Sequence, residues 1–128
     1  MRFLSIWKTP ETNVPPSEEE IARMGALIEK MTKSGELIAT EGCLPSALGA
    51  RVRKTGKRVT VTDGPFTESK ELIAGFALLE ARSKEHAIEL CKVFMEVAGG
   101  DGECELRQIY VAPPDGVHGT LGEATARA

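Results

Sequence analysis

Histidine and cysteine are both scarce in this chain, with two of the first and three of the second in 128 residues. Cys43, Cys91 and Cys104 are odd in number and show no C-x-x-C spacing, so they define neither a disulfide framework nor a zinc site. His86 and His118 are isolated, and with scattered acids they do not make a metal-ligand set. There is no excess of basic charge: sixteen Lys and Arg stand against nineteen Asp and Glu, a net charge of -3. That argues against a nucleic-acid-binding surface. The densest basic stretch, Arg51, Arg53, Lys54, Lys57 and Arg58, reads as a solvated hairpin tip. No run approaches the roughly 18 apolar residues of a membrane span, and the first apolar segment is interrupted by Lys8 and Pro10. Neither a signal peptide nor a membrane anchor is expected, and a cytoplasmic location follows. No glycine-rich phosphate loop opens a helix, since AGGDG at 98–102 closes one instead. No cofactor is expected.

What is present is an ordinary globular composition, 41% hydrophobic and 27% charged, at a length typical of one domain. Residues 2–8 read as a strand and 9–16 as a loop. Ser17 stands three residues before Glu20, the capping-box spacing, and opens a helix that Gly35 ends. Ile21, Met24, Ile28 and Met31 form its apolar stripe, read as core and not as a cofactor pocket. A strand is predicted over 36–42, a hairpin over 50–62 turning near Thr55 and Gly56, and a long strand over 71–81. Ser83 caps a second helix that runs to Ala98, with Ala87, Cys91, Phe94 and Ala98 on one face. A last strand covers 103–111. Residues 112–128 are rich in Pro, Gly and small polar residues and read as a flexible tail. The order β-α-β, hairpin, β-α-β gives an α+β chain with two helices on an antiparallel sheet, a ferredoxin-like plan over residues 1–111.

The long strand does not alternate as a half-exposed strand should. Leu72, Ala74, Phe76 and Leu78 point one way, and Ile73, Gly75, Ala77 and Leu79 the other. The first strand is also apolar on both sides, with Leu4 and Ile6 opposite Phe3 and Trp7. Two helices cover one face only, so a second copy of the chain is expected on the other, in a two-fold homodimer.

The segment VTDGPFTESKE, residues 61–71, resembles the DGPFAETKE signature of the YCII-related proteins, in the branch called the DGPF family. GELIATEGCLPS before it, ELIAGFALLEARSKEHAIEL after it and GECELRQI near the end follow the same order. Thr67 and Ser69 stand where the family usually has Ala and Thr. The resemblance implies a dimeric α/β barrel and a regulatory link to sigma factors of the extracytoplasmic-function type. A related branch carries a His–Asp pair proposed as an active site. This chain has no histidine in its first strand, so only Asp63 matches a member of that pair.

Asp63 therefore has two readings. In one it is a turn residue beside Gly64 and Pro65, accepting hydrogen bonds from amides one to three residues on, with Phe66 plugging the core edge. In the other it is a general acid or base in a cleft walled by Phe66, with Lys70, Glu71 and Arg107 holding a small-molecule substrate. Lys70 is equally read as a solvated partner of Glu68 and Glu71. His86, on the first turn of the second helix, reads as an exposed polar residue. The expected function is acid–base transformation or binding of a small molecule near Asp63; the alternative is a regulatory interaction module. Whether the chain is an enzyme stays open at this point.

Overall fold

The computed structural model describes residues 1–12 and 14–111. Six strands and two helices follow in the order β1 (Arg2–Thr9), α1 (Glu18–Ser34), β2 (Leu37–Gly42), β3 (Ala50–Thr55), β4 (Arg58–Asp63), β5 (Leu72–Glu80), α2 (Lys84–Val97) and β6 (Glu103–Gln108). A single turn of 3-10 helix, Ser46–Leu48, occupies the segment around Pro45. The predicted tail, with His118, lies outside the described residues.

Both helices start where their sequences place a cap. The Ser17 hydroxyl accepts the Glu20 amide at 3.1 Å, and the Ser83 hydroxyl accepts the His86 amide at 3.1 Å. Gly35 closes α1 in the left-handed region, at φ 82°. In the β3–β4 hairpin, Thr55 pairs with Arg58, leaving a two-residue loop whose first position, Gly56, has φ 63°. Glycine supplies that conformation without steric cost.

Four strands form one antiparallel sheet in the order β2-β5-β1-β6. This is the ferredoxin-like arrangement, with the β3–β4 hairpin inserted as a separate two-stranded ribbon. Among the described residues no helix is long and apolar enough to cross a membrane.

Register decides what each face carries. Phe3 pairs with Leu79, Ser5 with Ala77 and Trp7 with Gly75, all toward the helices. Phe3 is 2% exposed, Leu79 3% and Ala87 of α2 0%; Met31, Leu37, Ala81, Leu90 and Cys91 complete the core. Leu4 pairs with Leu78 and Ile6 with Phe76 on the opposite face. Among the described residues neither helix lies over these four, and Phe76 is 38% exposed.

Two expectations change. Ile21, expected on the core stripe of α1, is 59% exposed, and Leu27 packs against the core in its stead, because the stripe follows the turn of the helix from Met24 onward. His86 is not a freely exposed residue. Its Nδ1 accepts the Arg82 amide at 3.0 Å, which leaves the proton on Nε2 to be donated to Glu36 at 3.0 Å. Glu36 also accepts from the Ser34 hydroxyl at 2.7 Å. These contacts tie the start of β2 to the start of α2.

The Ser34 hydroxyl first, and His86 after it, hold the Glu36 carboxyl below its ordinary value of 4.5 against the opposing effect of burial. A carboxyl lowered on folding adds stability above its unfolded value and loses it as pH falls through the folded one. Glu36→Gln should therefore lower the thermal midpoint at neutral pH, and the gap to wild type should narrow as pH falls below 4.5. Thermal melts at several pH values check this; a gap that is constant with pH would count against it.

Candidate functional site

The segment from Asp63 to Ser69 is held by contacts that few other sequences would make. Gly64 lies so close to the Ser46 carbonyl that a Cβ built on it would stand 1.7 Å from that oxygen. The Gly64 amide donates to the Gly49 carbonyl at 3.0 Å, and the Gly64–Pro65 peptide is cis. The Phe66 amide donates to the hydroxyl of buried Ser46 at 3.3 Å. Ser46 is itself clamped by Glu11, which accepts the Ser46 amide at 2.6 Å and its hydroxyl at 2.9 Å. Above Phe66, the Arg51 guanidinium sits 3.9 Å from the ring centroid. Arg51 also pairs with Glu68 and donates to the Ser69 hydroxyl at 3.2 Å.

The residues singled out in the sequence are not brought together. Asp63 ends β4 with its side chain exposed, and among the described residues no hydrogen bond or ion pair to its carboxylate is present. The turn amides expected to donate to it, those of Gly64 and Phe66, donate to the Gly49 carbonyl and the Ser46 hydroxyl instead. Phe66 is half-buried beneath Arg51. The charge partner of Glu68 is Arg51, 17 residues away in sequence, and not Lys70. Lys70 and Glu71 are exposed. Arg107 is opposite Leu4, on the sheet face without helices, and donates to Glu105 at 3.3 Å. Glu105 also accepts the Lys8 ammonium at 2.6 Å.

A concave site lies elsewhere. Between the two helices and the sheet is a cavity of about 400 Å³, within the size range of small-ligand sites. Met24, Leu27 and Ile28 of α1 form one wall, and Leu90, Cys91 and Phe94 of α2 another. The floor is Ser5 and Trp7 of β1 with Gly75 and Ala77 of β5; Thr40 and Glu41 of β2 stand at its side. Trp7 and Phe94 meet edge to face, with centroids 5.3 Å apart. Three of the four residues of the apolar stripe of α1, Met24, Ile28 and Met31, thus line the cavity, and Ile28 and Met31 also pack in the core.

The polar groups of this cavity are few. Ser5 lies 3.5 Å from the Cys91 sulfur, and the Thr40 hydroxyl donates to the Phe76 carbonyl at 2.9 Å. Among the described residues Glu41 is the only charged one in the lining, and none of Asp63, Phe66, Lys70, Glu71 and Arg107 contributes to it. The Cys91 thiol is lowered, first by Cys104 and then by Ser5, against the opposing effect of burial, and Cys91 together with burial raises the thiol of Cys104. No spacing in the sequence signals this group, because its members come from β1, α2 and β6. The arrangement suits a largely apolar molecule with one or two polar atoms.

The chain matches the family model of the YCII-related domain over residues 1–110. It is 26% identical to an uncharacterized protein of Rhizobium meliloti (strain 1021) over 98 residues, 76% of this chain and 79% of that one. Among solved structures it is similar to CutA from Xylella fastidiosa, with a TM-score of 0.41, 10% identity, and coverage of 89% of this chain and 88% of that one.

Two substitutions separate shape from charge in the Asp63–Phe66 segment. Asp63→Asn should leave the thermal midpoint within about 3 °C of wild type, the scale of an exposed substitution with no partner. Gly64→Ala should lower it by about 8 °C or more, since backbone must move to admit the methyl group, at about 2 kcal/mol or above. A large loss in Asp63→Asn would show that the carboxylate holds the turn.

Proposed function

Because the chain belongs to the YCII-related family and its fold encloses an apolar cavity, we propose that it is a dimeric domain that binds a small, largely apolar molecule beneath its helices. The observation that carries this reading is the cavity lining. Side chains from both helices and three strands converge on it, and almost all are apolar. An aromatic pair forms a rigid wall, and Ser5 and Thr40 supply orientation through hydroxyls. The polar loss on ligand entry is small, so burial of apolar surface drives binding.

Dimerisation belongs to the same reading. Leu4, Ile6, Phe76 and Leu78 form an apolar strip on the open face of the sheet, flanked by Arg107 and Glu105. A second copy packed sheet to sheet about a two-fold axis buries this strip on both chains and produces a barrel. Acid–base transformation by Asp63 is the more demanding form of the proposal, since it requires a bound molecule to reach the end of β4.

The alternative is a regulatory interaction module. The observation that favours it is the β3–β4 hairpin. Val52, Val59 and Val61 are exposed there beside Arg53, Lys54, Lys57 and Arg58. An apolar and basic ribbon of this kind suits an acidic protein partner, such as a sigma factor of the extracytoplasmic-function type.

Trp7 is the only tryptophan and lines the cavity, so its fluorescence reports occupancy. An apolar probe should change that signal saturably. Ala77→Leu should weaken the probe by at least about tenfold, the scale set by filling a hydrophobic pocket. Unaltered binding in Ala77→Leu would place the ligand elsewhere. For the dimer, sedimentation should give twice the chain mass for wild type and a monomer for Leu78→Arg. An interface of standard size, about 1,600 Å², does not tolerate an unpaired buried charge. Monomeric wild type would overturn the dimer.

A further inference from the structure

Two glycines face each other in the cavity, and only one of them is demanded by the fold. Gly42 and Gly75 are partners in the β2–β5 ladder, and Gly75 is also the partner of Trp7. All three therefore lie on the helix side of the sheet, where they line the cavity. At Gly75 backbone excludes any side chain, since a Cβ built there would stand 2.7 Å from the Glu41 carbonyl oxygen. At Gly42 the nearest atom to such a Cβ is the Ala74 carbonyl oxygen, at an ordinary 3.9 Å, and the residue has no positive φ. Nothing among the described residues requires glycine at 42, although glycine weakens a strand relative to alanine. A strand glycine of this kind marks a place where a ligand comes close to the backbone. Gly42 is exposed and Gly75 buried, which puts Gly42 at the mouth of the cavity and Gly75 at its floor.

The remaining surfaces favour a flat ring. Trp7 is fixed on two sides. Its ring meets Phe94 edge to face at 5.3 Å, and Gly102 lies so close that a Cβ there would stand 2.5 Å from Trp7 Cη2. The thioethers of Met24 and Met31 line the same space. Aromatic pairs and sulfur–ring contacts both stabilise beyond what apolar area alone gives. One hydroxyl is left for a ligand. That of Thr40 is donated to the Phe76 carbonyl. Ser5 is only 7% exposed, lines the cavity, and has the Cys91 sulfur as its neighbour at 3.5 Å. Sulfur is a weak hydrogen-bonding partner, so the Ser5 hydroxyl keeps capacity for a stronger one.

We infer that the ligand of the cavity is a phenol: a planar aromatic molecule that enters over Gly42, lies against Gly75 and Trp7, and bonds through its hydroxyl to Ser5. The inference rests on the proposed use of the cavity by an apolar molecule and narrows it to one chemical class. The backbone left bare at Gly42 and Gly75 offers a ring a flat surface, and a side chain at 42 would stand in its way. A saturated ring of the same carbon skeleton is thicker, because its hydrogens project above and below it, and it gains nothing extra from Trp7 or the thioethers. A volume of about 400 Å³ admits a fused two-ring phenol. The phenolic hydroxyl replaces the weak sulfur contact of Ser5 with an oxygen–oxygen hydrogen bond.

The test is calorimetric titration of the full chain with 2-naphthol and with 2-decalol, its saturated counterpart. 2-Naphthol should bind at least about tenfold more tightly, the scale of aromatic contacts of this kind. Gly42→Ala should weaken 2-naphthol by about tenfold while its thermal midpoint stays equal to wild type or rises, because alanine suits a strand better than glycine. Ser5→Ala should weaken 2-naphthol by about fivefold, the worth of one neutral hydrogen bond. Absence of 2-naphthol binding, equal affinity for the two probes, or unchanged binding in Gly42→Ala or in Ser5→Ala would overturn the phenol. So would a midpoint several degrees lower in Gly42→Ala, since glycine would then serve the fold. Ala77→Leu separates this inference from the cavity itself. If the two probes bind alike and both are weakened by Ala77→Leu, the cavity stands and the phenol falls. If 2-naphthol binds as before in Ala77→Leu, the site is elsewhere and both fall.

Discussion

The pairing of Phe3 on β1 with Leu79 on β5, sealed by Ala87 of α2, is the contact on which the rest of the structure depends. β1 is a central strand with β5 and β6 as neighbours, so its register is transmitted to most of the sheet. Strand side chains alternate with period two. Once Phe3 faces the helices, Ser5 and Trp7 must follow it, and Leu4 and Ile6 must face away. A single choice of register thus lines the cavity with a hydroxyl and an indole, and lays an apolar strip on the opposite face.

Covering a four-stranded sheet with two helices has a cost in packing. Sixteen large hydrophobics among the described residues remain exposed, against eight in the buried core. Isolated exposed hydrophobics need no explanation, but the two-faced strands β1 and β5 do. On their open face Phe76 is exposed, while Leu4, Ile6 and Leu78 are half-buried. On the covered face, α1 and α2 do not fill the space above Gly75 and Ala77, where side chains are small. The cavity is the result.

The Asp63–Phe66 segment illustrates how a motif divides between structure and chemistry. Gly64 is required by the Ser46 carbonyl, and Phe66 is clamped between the Ser46 hydroxyl and Arg51. Glu68 and Ser69 are both engaged by Arg51. These residues have local reasons to be what they are. Among the described residues Asp63 has none, and its carboxylate stands in solvent.

The sequence by itself determined the element order, the helix caps at Ser17 and Ser83, the hairpin turn at Gly56 and the two-faced character of β1 and β5. These are legible because they arise from hydrogen bonds within three or four residues, from glycine's access to positive φ, and from periodicity along one strand. Only the tertiary structure decided that Arg51 meets Phe66 and Glu68, that His86 meets Glu36, and that Cys91 meets Ser5. It also decided that Met24, Ile28 and Met31 wall a cavity while Ile21 is exposed. Such contacts join residues from different elements, and their partners follow from strand register and helix placement. No local spacing encodes them, which is why the candidate site lies beneath the helices and not at the most distinctive motif of the chain.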